Sequence, residues 1–154
     1  MFGRQKGIDV DQLKETLKVD EGVVYEIYND HLGYATFGIG HLVTGSDPEY
    51  GLAVGTAVSE ERCYSVFKED VKTVLGDCEK LYDDFDQLPE EAQLIIANMM
   101  FNMGLTRLSK FRGMKNGVDA RDWERAADEM VDSRWYNQVT KRADRLVVRM
   151  RSLS

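Results

Sequence analysis

The stretch "VDEGVVYEIYNDHLGYATFGIGHL", residues 19–42, carries two carboxylates nine positions apart, Glu21 and Asp30, set in alternating aromatic and aliphatic residues. Gly33, Gly38 and Gly40 follow, then His41. Its wealth of aromatic and branched residues, broken at 29–33 by Asn, Asp and Gly, predicts a β-hairpin or small meander over 23–41. Upstream, Leu13 and Leu17 share one face of a short helix over 11–19, with Gly22 just past its end. Downstream, "TGSDPEYGLAVGT" reads as a loop that turns at Asp47–Pro48.

Beyond residue 58 the period changes from two to 3.6. Ser59 is placed to cap a long helix, with Glu60 and Glu61 well placed in its first turn. Cys63, Val66, Phe67, Val74, Leu75, Cys78 and Leu81 form its apolar stripe. Pro89, Glu90 and Glu91 open the next helix, whose "LIIANMMFNM" is apolar on nearly every side and is expected to end at Gly104. A helical turn is expected within 105–115. Further helices are expected over 121–131, presenting Trp123, Ala127, Met130 and Val131, and from about Thr140, carrying Leu146, Val147 and Met150. Helices segregated from a small antiparallel sheet make this an α+β chain. A cleft between the two halves, spanned by the long helix, would be a natural ligand site.

Length and composition narrow the class. At 154 residues the chain suits one domain, and about 70% of the unfolded surface can be buried without staples. No run approaches the ~18 apolar residues of a membrane helix, so no stable membrane insertion is expected. The opening "MFGRQKGIDVDQLK" has no apolar core of a signal peptide. The net charge of −7 argues against a general nucleic-acid binder. Arg134, Lys141, Arg142, Arg145, Arg149 and Arg151 nevertheless face Asp144 alone over residues 134–154, a net of +5. That end is either a solvated basic helix face or a site for an anionic ligand. Cys63 and Cys78, fifteen residues apart on one helix, would stand roughly 22 Å apart. A disulfide spans only about 7 Å, so two free thiols are expected, in keeping with a reducing compartment.

The two acids suggest glycosidic chemistry, which takes one protonated carboxyl as acid and a second, ionised one to activate water or attack. Glu21 falls at a helix C-terminus among Leu17, Val24 and Phe37, where the dipole and burial favour the neutral form. Asp30, in a turn beside Asn29 and His31, is expected to be wetter and ionised. Thr36 offers a hydroxyl able to orient a water, and the glycines would let a bulky polymer approach the backbone. The plain alternative is a hairpin with a surface Asp and a helix-terminal Glu. Asp70 sits on the apolar stripe of the long helix and needs a partner there, with His41, Lys68 and Lys72 as candidates. No metal is expected, since His31, His41, Asp30 and Asp70 lack ligand spacing. "DDFDQLPEE" at 83–91 lacks a calcium loop's glycine and alternation and reads as a solvated acidic linker.

The stretch "DEGVVYEIYNDHLGYATFGIGHL" resembles the active-site segment of the phage-type lysozymes, the family of T-even phage lysozyme. "FKEDV" at 67–71, "MFNMG" at 100–104, Trp-Glu-x-Ala-Ala at 123–127 and "SRWYNQ" at 133–138 extend the likeness, in order, over nearly the whole chain. The resemblance implies a two-lobed lysozyme-like fold: a β-containing lobe over about 12–58, a linking helix over about 59–82 and a helical lobe over about 83–154. It implies a muramidase, without cofactor, that cleaves the β-1,4 bond between N-acetylmuramic acid and N-acetylglucosamine. Glu21 would be the general acid, Asp30 the second carboxylate and Thr36 the holder of the attacking water, with inversion at the anomeric centre. Leu42, Phe101 and Asn102 would line the cleft, and His41–Asp70 would be a structural ion pair. Arg142 matches an arginine that lies close to the catalytic glutamate in the family. A cation there holds the carboxyl in position but favours its ionised form, and the two effects oppose each other.

The resemblance further implies a monomeric endolysin that acts on bacterial peptidoglycan. It would be held in the host cytoplasm and reach the wall with a holin-like, membrane-permeabilising partner. Departures from the family are the acidic net charge, "NQVTKRADR" without the family's proline, and the residues at Leu32 and Glu129. Two rival readings are a lytic transglycosylase using Glu21 without water, and a wall-binding or tail-structural module without catalysis.

Overall fold

The computed structural model describes residues 2–5 and 7–154, and every strand among them lies between Arg4 and Leu42. β1 (Arg4–Gln5) and β2 (Ile8–Asp9) form a small antiparallel pair. α1 (Val10–Glu21) follows, burying Val10, Leu13 and Leu17. β3 (Val24–Asn29), β4 (Ala35–Gly38) and β5 (His41–Leu42) then form an antiparallel meander. From Glu60 onward the regular structure is helical: α2 (Glu60–Leu81), α3 (Glu90–Leu108), α4 (Arg112–Asp119), α5 (Trp123–Val131), α6 (Arg134–Gln138) and α7 (Thr140–Arg151). The chain is α+β.

The chain divides into two compact units. The first holds Phe2 and Val10–Thr73, the second Gly3–Asp9 and Val74–Ser154, so the division falls inside α2.

In the first unit, alternation along the meander sends Ile27 and Phe37 into a core completed by Val58, Cys63 and Val66. β3 carries a register shift between Val24 and Tyr28, past which Tyr28 opposes Thr36 and Asn29 opposes Ala35. The other edge of β3 is covered by the chain around Thr56. Ile27 N–H donates to Thr56 O at 2.9 Å and Val58 N–H to Tyr25 O at 3.0 Å, leaving little open edge for pairing with another chain. Ser59 Oγ accepts from Arg62 N–H at 3.1 Å, so the cap read at the start of α2 is present.

In the second unit, α3 buries residues 92–100 without a break, as expected of a helix apolar all round. Helical residues continue past Gly104 to Leu108, but the backbone leaves helical geometry at Gly104 (φ 78°, ψ 169°), which divides the helix. The expected turn within 105–115 thus becomes the end of α3 and a separate α4. "SRWYNQ" contributes a helix of its own, capped by Ser133 Oγ accepting from Tyr136 N–H. α5 packs against α4 and α7, burying Trp123, Ala126, Ala127 and Met130, whereas Val131 is exposed rather than presented to the core. The acidic 83–91 segment is not wholly solvated. Phe85, in a 3-10 turn, is fully buried, and Asp84 pairs with Arg121 at 2.8 Å. β1 and β2 belong with α3: Glu90 accepts from Arg4 Nη1 and from Asp9 N–H, both at 2.9 Å.

Candidate functional site

Glu21 is the last residue of α1, where the chain turns at Gly22 into the meander. Its side chain, half-buried, packs on Gly40. A Cβ built at Gly40 would stand 2.8 Å from Glu21 Oε1 and 3.1 Å from its Cβ and Cδ. Gly40 has φ +61°, a backbone that L side chains rarely adopt, so conformation and space both call for glycine.

Asp30 follows β3 at the head of the turn. Its Oδ1 accepts from the backbone N–H groups of Leu32 and Tyr34, each at 2.9 Å, an Asx-type turn that fixes the carboxyl. Among the described residues Oδ2 has no hydrogen-bond partner. Asp30 and Glu21 are both half-buried, so exposure does not separate them. Thr36 is 4% exposed and stands opposite Tyr28. Its hydroxyl donates to Tyr34 O at 2.9 Å, which leaves Oγ1 to act as an acceptor. Burial, together with the charges of Glu21 and Asp30, pushes the Tyr28 phenol above its usual range.

His41 joins two elements of the first unit. Its Nδ1 lies 2.7 Å from Asp70 Oδ2 on α2, and its Nε2 lies 2.9 Å from Asp47 Oδ2 in the loop after β5. Burial of the ring works against its charge, but the hydrogen bonds and charges of Asp70 and Asp47 outweigh it and raise His41 above the ordinary histidine range. Asp47 is held below the usual carboxylate range: burial pushes it up, but hydrogen bonds from Thr44 N–H and His41 prevail. Arg62 extends the network, donating Nε to Glu49 at 2.9 Å and Nη2 to Asp47 at 3.3 Å. Its bonds lower Glu49 in turn.

Leu42, on β5, is 49% exposed. In the second unit, half-buried Phe101 and Asn102 lie on α3, and Asn102 Oδ1 accepts from Trp135 Nε1 at 2.7 Å. Arg142 is only 7% exposed, with Nε donating to Asn98 Oδ1 at 2.9 Å and Nη2 to Asn98 O at 3.3 Å. The basic end is therefore not a uniformly solvated face. Arg142 is buried, Arg149 pairs with Glu91, and Arg151 pairs with Glu124 and Asp128. Leu32 is 68% exposed, and the Glu129 carboxyl lies against Gly113. Both cysteines are free and buried. No helix of the described residues is long and apolar enough to cross a membrane, and no group of three or more His, Cys, Asp and Glu residues among them is placed to hold a metal.

The acids, Thr36, His41, Leu42 and Asp70 thus share the first unit, while Phe101, Asn102 and Arg142 belong to the second. Asp47 and Tyr28 were not singled out from sequence. Tyr28 had a usable signal, since it precedes Asp30 by two positions along a strand; Asp47 lies in a loop without a period.

Among known proteins, the family model described as phage lysozyme matches residues 18–152. A probable T4-type lysozyme 2 of Dictyostelium discoideum is 31% identical, over 90% of this chain and 92% of its own length. The pre-baseplate central spike protein Gp5 of Enterobacteria phage T4 is 30% identical over 88% of this chain but 27% of its own. The peptidoglycan hydrolase gp36 of Pseudomonas phage phiKMV is 29% identical over 92% of this chain and 15% of its own.

Proposed function

This chain belongs to the phage lysozyme family, and we propose that it is a peptidoglycan hydrolase cleaving the β-1,4 bond between N-acetylmuramic acid and N-acetylglucosamine. The observation that carries this reading is the joint anchoring of two carboxyls and a threonine on one meander. Glu21 is seated on Gly40, Asp30 is fixed through Oδ1 alone, and Thr36 Oγ1 is left as an acceptor.

In the reaction, Glu21 gives its proton to the glycosidic oxygen as that bond breaks. A water donates one hydrogen bond to Thr36 Oγ1 and its other proton to Asp30 Oδ2 as its oxygen attacks the anomeric carbon from the opposite face. The product is inverted and carries a new reducing end. Glu21 ends ionised and Asp30 protonated, and proton exchange with solvent resets the pair. Leu42, Phe101 and Asn102 are the proposed sugar contacts, Arg142 is a proposed support for the glutamate, and His41–Asp70 is a structural pair. The proposed setting is that of a monomeric endolysin, stored in the host cytoplasm and passed to the wall by a holin-like partner.

The test is clearing of purified peptidoglycan by wild type and Glu21→Gln, with mass spectrometry of the fragments. Clearing with reducing muramic-acid ends, reduced at least ~10²-fold in the variant, is the expected result. Anhydro ends would replace hydrolysis with transglycosylation. Binding of the polymer without cleavage would leave a wall-binding or tail-structural module.

A further inference from the structure

Tyr28 lies at the centre of the meander's functional face and has no role so far. It stands directly opposite Thr36 in the β3–β4 ladder, so the two side chains project from the same face. The opposite face sends Ile27 and Phe37 into the core. Asp30 comes two positions after Tyr28, with no register shift between them, and its N–H donates to Tyr34 O at 2.9 Å, continuing the ladder. The phenol ring is half-buried, and among the described residues its hydroxyl has no hydrogen-bond partner.

Hydrogen-bonding capacity on this face is lopsided. Asp30 offers Oδ2, which accepts when ionised. Thr36 has committed its proton to Tyr34 O. A sugar ring held between Glu21 and Asp30 presents acceptor oxygens, its acetamido carbonyl and ring hydroxyls, that neither Asp30 Oδ2 nor Thr36 can serve. We propose that Tyr28 is a substrate-contacting residue, its O–H donating to an acceptor oxygen of the N-acetylated sugar at the cleavage point. Burial of the ring opposes its ionisation first and the neighbouring carboxyls add to that, so Tyr28 remains a donor throughout the neutral range.

The inference rests on the hydrolase reading above and can fail separately from it. Tyr28→Phe keeps the ring and removes only the O–H. With purified peptidoglycan as substrate, kcat/KM is expected to fall about tenfold, the scale of one neutral hydrogen bond. The melting temperature and the pH at which activity is half-maximal should stay where wild type has them. In a Glu21→Gln background, where cutting is at least ~10²-fold slower and binding can be read by itself, adding Tyr28→Phe should weaken binding of a soluble peptidoglycan fragment by a similar factor.

Wild-type kcat/KM and fragment affinity in Tyr28→Phe would overturn the inference while leaving the hydrolase reading intact. A displaced pH profile with unchanged fragment affinity would overturn it too, because Tyr28 would then act through the carboxyls rather than on the sugar. Absence of cleavage by wild type itself would remove the hydrolase reading first.

Discussion

Glu21 rests against Gly40 so closely that a single added carbon would meet its carboxyl oxygen at 2.8 Å. A residue 19 positions downstream therefore governs where the proposed acid points.

Gly40→Ala should accordingly be a functional lesion larger than its structural one. The left-handed backbone costs an alanine roughly 1–2 kcal/mol, and the new methyl must push the carboxyl aside. Misplacing a reacting group by about 1 Å can cost ~10²-fold. The expected outcome is a modest fall in melting temperature with at least that loss in kcat/KM on peptidoglycan. Full activity would show that Glu21 does not need this seat.

Both ring nitrogens of His41 face carboxylates, an arrangement that a neutral imidazole, with one N–H, satisfies only by half. Its folded-state pKa is raised, so its stabilisation is complete below the unfolded value of about 6.5 and is lost as pH climbs through the elevated folded value. Asp47, held low, contributes above its ordinary range and loses that contribution as pH falls through its depressed value. The melting temperature should therefore decline as pH rises above about 6.5. Asp70→Asn should flatten that decline and cost about 1.5–3 kcal/mol near pH 6, the scale of a charge-assisted hydrogen bond in a part-buried site. Parallel curves for wild type and Asp70→Asn across pH 5–10 would contradict the coupling.

Close packing also governs the second unit. A Cβ at Gly117 would stand 2.7 Å from Ala126 N and 3.0 Å from Ala126 Cα, backbone atoms that cannot swing away. Gly117→Ala should force α4 and α5 apart and destabilise the protein by about 1–3 kcal/mol. Denaturant unfolding measures this directly, and an unchanged midpoint would mean that the two helices can separate without penalty.

Cys63 and Cys78 are both fully buried, and burial raises both thiols, Cys78 most strongly. Since the thiolate is the reactive form, neither should react with a thiol reagent at neutral pH until the chain unfolds, when two equivalents should be consumed. Rapid labelling of the native protein would reveal a local opening that exposes α2.

Much of this architecture is legible where a period is sustained. The 3.6-residue stripe from Cys63 to Leu81 marks α2, and the alternation around Ile27 and Phe37 marks the meander's buried face. The two-residue strands β1 and β2 are too short to show any period, and five-residue α6 depends on Ser133 and its surroundings rather than on a repeat. A carboxylate at Asp70, set on an apolar stripe, signals that a partner must exist. Asp47 gives no such signal, because loop geometry decides which way its side chain turns. Burial of Arg142 was equally hidden: its neighbours in sequence are charged, and its partner Asn98 lies 44 residues away.

The division of the molecule also has a consequence for how it is made. The segment Gly3–Asp9 is synthesised before the first unit's Val10–Thr73 yet belongs with α3, which begins some eighty residues later. The first unit, from Val10 to Thr73, is in effect an insertion between two parts of the second. It can complete its own contacts while Ile8, destined to be fully buried, still waits for Glu90 and the helices beyond it. The closing distance in sequence, 86 residues between Arg4 and Glu90, makes that docking a late and slow event. Fragments starting at Val74 would lack a piece of their own unit, and the missing piece should be suppliable as a separate short peptide.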